Sequence, residues 1–406
     1  MKRKRCSKSI EANNKMSRKM LNASVALLVS LIGIPVANAG QTFDMGNDQS
    51  LTVGFGLRSS YTSLQDGAPN GVSNSNTFAL NDSRLYINGQ FNDLIKGTLN
   101  TERNAAGAIV LMDGIAQLDF TKDFNVWMGR ELPPSDRSNL DGPFYLNVWQ
   151  FPSVVSNYPN IAIGRDEGLL AWGKPMGGKF VYSVGGFDGH NAVAGGSDAA
   201  GNLLYAGRLA INFLDPEPAP AYYNASTYYG AKNILTLGLV YQFEKDGVGS
   251  SPTNAGNYSS WNADLLFEEK VTGDGVVTAE GAYYRYGLGA VDCNSGEPGS
   301  FACSTTGPSV GPNVGGQVAG KAYLATLEYM FPQMVGPGKF QPFVRYQEFD
   351  RNVSGTTNKQ SDLGVNYVMN GHNALISAVF SKLNDNRLLA AFADRNQFIL
   401  GVQYQY

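Results

Sequence analysis

Gln397-Phe398-Ile399-Leu400-Gly401-Val402-Gln403-Tyr404-Gln405-Tyr406 ends the chain, and its alternation decides how the rest is read. Phe398, Leu400, Val402, Tyr404 and Tyr406 share one face of a strand, Gln397, Gly401, Gln403 and Gln405 the other, with Ile399 as the exception. Leu51, Val53, Phe55 and Leu57 divide in the same way from Thr52, Gly54, Gly56 and Arg58. Sixteen such segments follow one another: 51–61, 83–91, 97–103, 109–120, 124–131, 165–175, 179–187, 202–214, 232–244, 258–270, 275–287, 321–331, 339–350, 359–369, 372–383 and 395–406. Period-2 segments of about ten residues, rich in Tyr, Phe, Val, Leu and Thr and broken by Gly, Asn, Asp and Pro, are the pattern of a membrane β-barrel. Soluble sandwiches alternate too, but rarely through so many long strands joined by such uneven loops.

The connections alternate in length. Asn92 to Lys96, Thr121-Lys122-Asp123, Met176-Gly177-Gly178, Thr272-Gly273-Asp274 and Asn370-Gly371 are tight, whereas 62–82, 132–164, 188–201, 245–257, 288–320 and 384–394 are long. Segment 215–231, opening on Asp215-Pro216-Glu217-Pro218, breaks the alternation by being long where a short turn is expected. Short turns on one rim and long loops on the other predict an all-β, transmembrane antiparallel barrel of 16 strands in a bacterial outer membrane. Hydrocarbon leaves no free sheet edge, so the sheet must close.

The first 39 residues read as a leader. Lys2, Arg3, Lys4, Arg5, Lys8, Lys15, Arg18 and Lys19 precede an apolar run from Leu21 to Val36, and Ala37-Asn38-Ala39 is a small-x-small cleavage site before Gly40. Met16 begins a leader of ordinary length and is a second candidate start. The barrel domain would then be 40–406. The full chain has 31 Lys+Arg and 34 Asp+Glu; losing eight bases and Glu11 leaves 23 against 33, about −10. Such a balance excludes a nucleic-acid binder, which needs bases to neutralise phosphates.

An enzyme is not expected, nor a cofactor or metal. No HExxH, Walker A or CxxC pattern occurs, and His190 and His372, the two histidines, stand in a loop and at a turn, where a histidine reads as a solvated polar residue. Cys293 and Cys303, both in link 288–320, should form a disulfide in an exported protein, worth about 2–3 kcal/mol of chain entropy. If the apolar face meets lipid, Arg58, Arg84 and Arg208 project into the lumen, where permanent positive charge biases a pore toward anions; Glu102, Asp264, Glu268 and Glu280 stand ready to oppose them. Segment 132–164 carries Pro133-Pro134, Asp136, Arg137, Asp141, Phe144, Tyr145, Trp149, Phe151 and Tyr158. Aromatics so dense are costly in water, and folded inward they would narrow the barrel, with Asp136, Arg137 and Asp141 setting the local field. Trp127, Trp149, Trp172 and Tyr158 offer an alternative: a stacking track for sugars. A non-conducting structural or adhesive protein is the other rival.

The terminal aromatic of the last strand, with apolar residues at alternate positions before it, resembles the C-terminal assembly signal of outer-membrane proteins. Arg84 to Phe91, Asp113-Gly114 with Val126 to Arg130, Gly164-Arg165-Asp166-Glu167-Gly168-Leu169, Pro342 to Tyr346 and Gly364 to Tyr367 are similar to stretches of the phosphate-selective porin O and P family. The resemblance implies a homotrimeric outer-membrane porin surrounded by lipid, a third extracellular loop folded inward, and a path for small solutes or inorganic anions lined by arginines, Arg165 among them. That family's lysine-built anion site has no counterpart in the loop, because no lysine occurs between Lys122 and Lys174 and Glu131 stands at its mouth.

Overall fold

Strands that are apolar on one face and polar on the other have one way to satisfy every backbone group without a free edge, which is to close on themselves. The chain takes it. The computed structural model describes residues 40–104, 107–155, 164–189, 201–251, 254–287, 319–352, 357–385 and 394–406. The expected leader and the Cys293–Cys303 disulfide lie outside them, as do His190 and Tyr158.

The strands in chain order are β1 (Gln41–Gly46), β2 (Gln49–Leu64), β3 (Ser75–Gln90), β4 (Ile95–Arg103), β5 (Ile109–Asp119), β6 (Asn125–Glu131), β7 (Asp166–Gly173), β8 (Phe180–Phe187), β9 (Leu204–Asn212), β10 (Ile234–Ser251), β11 (Asn254–Lys270), β12 (Val276–Gly287), β13 (Gly320–Met330), β14 (Lys339–Arg351), β15 (Thr357–Asn370), β16 (Ala374–Asp385) and β17 (Arg395–Gln405). Each of β2 to β17 pairs antiparallel with its neighbours in sequence, and β17 returns to β2 with Gln397 opposite Leu64 and Gln405 opposite Gly56. Sixteen strands therefore form a closed barrel. The short β1 was not foreseen. It folds back at Asn47-Asp48, whose φ angles of 55° and 62° suit a tight hairpin, and pairs with Gln49 to Val53 on the edge of β2 that β17 has stopped using. The backbone pair Phe55–Tyr406, at 2.7 and 2.8 Å, marks that handover.

Two expected loops are shorter than the sequence suggests. β3 begins at Ser75 where 83 was expected, and β10 and β11 run to Ser251 and from Asn254 through the stretch read as link 245–257. Both stretches are rich in Gly, Ser and Asn, which read as turns; cross-strand pairing extends the ladder regardless, with an irregularity between Glu244 and Val248 absorbing the mismatch.

The alternation along β17 resolves into exposed Phe398, Leu400, Val402 and Tyr404 against buried Gln397, Gln403 and Gln405. Ile399, the exception in the pattern, is buried inside among Val148, Trp149, Phe343, Leu375 and Val379. The outer wall carries Phe55, Leu85, Leu169, Leu239, Leu327, Leu363 and Phe380, with Trp261, Tyr283 and Tyr323 in mutual ring contact at 5.0 and 5.2 Å. So large an apolar surface is stable against lipid, not water. The polar face is the enclosed one.

Candidate functional site

The interior is built from two segments as well as from the wall. Segment 132–155 leaves β6 and makes one short helix, α1 (Arg137–Asp141), capped by Asp136, whose carboxylate accepts from Asn139 N at 3.3 Å and Asn139 Nδ2 at 2.7 Å. It descends until Tyr145 meets His372, in the turn between β15 and β16, with ring centres 5.0 Å apart. It then climbs along the wall, where Asn366 and Gln403 donate to the Asn147 and Phe144 carbonyls at 2.8 and 2.9 Å, and Gln347 accepts from Ser153 N at 2.7 Å. Two glycines make the seats: a Cβ at Gly56 would lie 2.7 Å from the Phe144 ring, and one at Gly401 2.5 Å from Trp149.

The second segment, 213–233, joins β9 to β10 on the rim of the tight turns. It meets the first inside. Tyr222 donates to Leu132 O at 2.8 Å, Asn147 to Ser226 O at 3.0 Å, and Ser226 Oγ to Asp141 at 2.6 Å. The firmest link is ionic: Arg137, fully buried, holds Glu217 through both terminal nitrogens at 2.8 and 2.6 Å and donates to Ala225 O at 3.0 Å. Burial by itself would raise the Glu217 carboxyl, but Arg137 beside it wins and holds it below the usual range. Asp136 has no such partner in contact; burial, with Asp264 nearby, pushes it up to about 6.

The candidate arginines all lie inside, each against a carboxylate. Arg58 donates to Asp82 at 2.8 Å and to the Trp149 carbonyl at 2.5 Å, its guanidinium 4.0 Å from the Trp149 ring centre. Arg84 pairs with Glu102, directly opposite on β4, and lies over Phe144. Arg165 meets Asp113 at 2.9 Å. Arg208 on β9 reaches Asp264 on β11 at 2.6 and 2.7 Å across β10, over Gly238, where a Cβ would stand 2.2 Å from Arg208 and 2.6 Å from Asp264. Arg345, which the sequence reading passed over, pairs with Asp362 at 2.7 Å and donates to Gln150 O at 2.8 Å.

Set beside solved structures, this geometry has relatives. The chain is similar in fold to the trimer form of OmpT, an outer membrane protein of Vibrio cholerae, at 13% identity and TM-score 0.54, over 89% of this chain and 100% of that one. An anion-selective porin from Comamonas acidovorans matches at 12% and 0.54, over 88% and 100%. The outer membrane channel DcaP of Acinetobacter baumannii matches at 11% and 0.51, over 91% and 100%. The fold is the porin barrel. No family model matches the chain, and no curated protein matches it in sequence.

Two expectations need correcting against the porin barrel as found. His372 is not a solvated turn residue: its ring lies between Tyr145 and Tyr229, at 5.0 and 4.8 Å, and its Nε2 is 3.0 Å from Thr227 O. Nothing in the tight turn announces this, because the partners Tyr145, Thr227 and Tyr229 lie more than a hundred residues earlier in the chain. The described tryptophans do not make one track. Trp127 and Trp172 pack edge to face at 5.4 Å, both buried and closed over by Tyr222, while Trp149 sits apart on Arg58. Segment 213–233 did leave a signal, the long link on the short-turn side. Among the described residues no group of three His, Cys, Asp or Glu is placed to hold a metal.

Proposed function

We propose that this chain is an outer-membrane porin that passes small hydrophilic solutes by diffusion, with segments 132–155 and 213–233 setting its narrowest part. One observation carries the reading: a closed sixteen-strand barrel, apolar outside, whose enclosed face is charged and polar. Sixteen strands leave an aqueous channel where eight would not. Export by the leader 1–39, surrounding outer-membrane lipid and a homotrimeric assembly belong to the same reading; the trimer form of the Vibrio cholerae relative supports the last. The residues we assign to the path are Arg58, Arg84 and Arg208 on the wall, Arg165 just before β7, and Asp136, Arg137 and Asp141 on the loop.

The anion preference suggested by lumenal arginines, and carried in the name of the Comamonas acidovorans relative, meets a counterweight. Six arginines are buried among the described residues, Arg58, Arg84, Arg137, Arg165, Arg208 and Arg345, and all are salt-bridged. Among the described residues, Glu131, Glu268, Glu280 and Glu328 are buried with no basic partner in salt-bridge range. With those six arginines neutralised in place, the path loses most of the positive charge that would hold phosphate. Sugar stacking is opposed by the closed packing of Trp127 and Trp172.

A second reading, a barrel shut at rest, is favoured by the direct Arg137–Glu217 link between the two segments. Recordings of purified protein in planar bilayers decide between them. Stepwise conductance in the wild type supports an open porin; silence that gives way to conductance in Glu217→Gln supports the shut barrel; silence in both removes the channel.

A further inference from the structure

On the outer wall, toward the rim of the long loops, Arg285 near the end of β12 stands directly opposite Lys321 near the start of β13. Both are exposed and face outward, Arg285 between buried Tyr284 and Tyr286 and Lys321 beside buried Ala322. Like charges directly opposite on one face of a sheet repel, their Cβ atoms about 5 Å apart. Neither base has a salt-bridge partner among the described residues. The acids of the next strand, β14, are engaged otherwise: Glu348 by Lys359 at 3.3 Å and by the Tyr346 hydroxyl, and Asp350, which faces Lys321 in register without closing on it, by the Thr357 hydroxyl at 3.0 Å. Two bases held side by side in this way are reconciled by one anion that spans both.

Their height on the barrel says what kind. One step nearer the tight turns on the same strands come Tyr283 and Tyr323, opposite each other, with Trp261 of β11 against Tyr283. A girdle of outward aromatic rings marks the level where hydrocarbon gives way to headgroups. At the far end of β13, Tyr329 and Phe331 pack edge to face at 5.1 Å on the tight-turn side. From Phe331 to Lys321 the chain covers about 33 Å at ~3.3 Å per residue and, tilted by about 40°, roughly 25 Å in height, which is the thickness of the apolar band of such barrels. The long loops of these barrels face the cell exterior, so Arg285 and Lys321 stand at the phosphate level of the outer leaflet.

We propose that Arg285 and Lys321 form a binding site for the phosphate of an outer-leaflet lipid. The planar fork of Arg285 takes two phosphate oxygens and Lys321 adds a compact point charge, while the acyl chains lie on the apolar wall below the tyrosines, against Leu265 and Leu327. The bound anion offsets the repulsion between the two bases and so ties β12 to β13. The site is on the outside of the barrel and does not depend on what passes through the lumen.

The test is titration of the purified full-length protein in detergent with lipid A, the phosphorylated glycolipid of bacterial outer leaflets, with the same lipid stripped of its phosphates, and with sodium phosphate, followed by native mass spectrometry and by melting temperature. Lipid A should bind saturably and raise the melting temperature, and the dephosphorylated lipid should bind at least about tenfold more weakly. Arg285→Gln and Lys321→Gln should each weaken lipid A, and the double variant at least about tenfold; without lipid, both should melt no lower than the wild type, because a repulsion has been removed. Lys359→Gln removes a base of the same rim that is already paired, and should leave binding unchanged. Equal binding of the two lipid forms overturns the proposal, as does lipid A binding unchanged in the double variant. So does a loss in Lys359→Gln as large as in the double variant, which would reduce the effect to net charge, or displacement of lipid A by inorganic phosphate of equal affinity, which would assign the pair to a free anion. A silent barrel that binds lipid A removes the porin reading alone, and a conducting barrel that ignores lipid A removes this one alone.

Discussion

Glu217 is the residue whose loss should be felt most widely. Arg137 has no access to water and would keep only Asp264, 3.6 Å from its Nε, so the loss should cost less than the ~3–5 kcal/mol typical of a buried charge left without any partner. Glu217→Gln should therefore lower the temperature at which the folded barrel loses its compact mobility on gels, and raise conductance; an unchanged temperature would mean that water reaches Arg137. Gly238 makes the same point through space. Its missing Cβ is what lets Arg208 cross β10 to Asp264, so Gly238→Ala should destabilise the barrel, whereas glycine-to-alanine at the open Gly89 of β3 should not. His372 gives the pH dependence. Burial lowers it from an ordinary 6.5 to about 4, so between those values the unfolded chain takes up a proton that the folded one refuses. Stability is thus complete above pH 6.5 and falls as pH drops toward 4, by at most about 3 kcal/mol. Melting curves of His372→Gln should lack that slope; a slope that survives would belong to other groups.

Among the elements, those that cross the membrane were the legible ones. Period 2 with apolar residues on one face is a local signal, and β5, β14 and β17 lie within two residues of where it puts them. β1 carries Phe43 and Met45, both exposed, in six residues too few to show a face, and its pairing depends on where β17 ends. The arginines were legible as inward-facing from parity, yet their partners were legible only where they sit opposite in register, as Arg84 and Glu102 do. Arg137 and Glu217, eighty residues apart on two irregular segments, offer no periodicity to read. Segment 213–233 is the element to remove. β9 and β10 pair over nine residues without it, from Asn212–Thr236 to Leu204–Glu244, so a tight Asn-Gly turn in place of 215–231 should leave the β-sheet circular dichroism intact. Unitary conductance should rise severalfold; no rise would place the narrowest part of the path in segment 132–155 alone.

At the scale of the whole molecule, ion selectivity depends on the sum of interior charge, not on any single arginine. The buried titratable acids described are twelve, namely Glu102, Asp113, Glu131, Asp136, Asp141, Asp166, Glu244, Asp264, Glu268, Glu280, Glu328 and Asp362, against six arginines, but burial raises Asp136 to about 6 and Asp141 well above the usual carboxylate range, so not all of them carry charge at neutral pH. A neutralised guanidinium adds little field beyond its own partner, whereas each carboxyl that ionises without a basic partner acts along the enclosed path, where the low-dielectric wall confines its field lines. The reversal potential under a potassium chloride gradient should accordingly move toward the cation side as pH is raised and these groups ionise. The shift should grow as salt is lowered, because the screening length rises from about 8 Å at 0.15 M to about 30 Å at 0.01 M and more of the buried acids are felt at the path. Arg58→Ala should move it further toward cations by leaving Asp82 unpaired, and a reversal potential on the anion side in the wild type would mean that the arginines present their charge to the solute despite their partners.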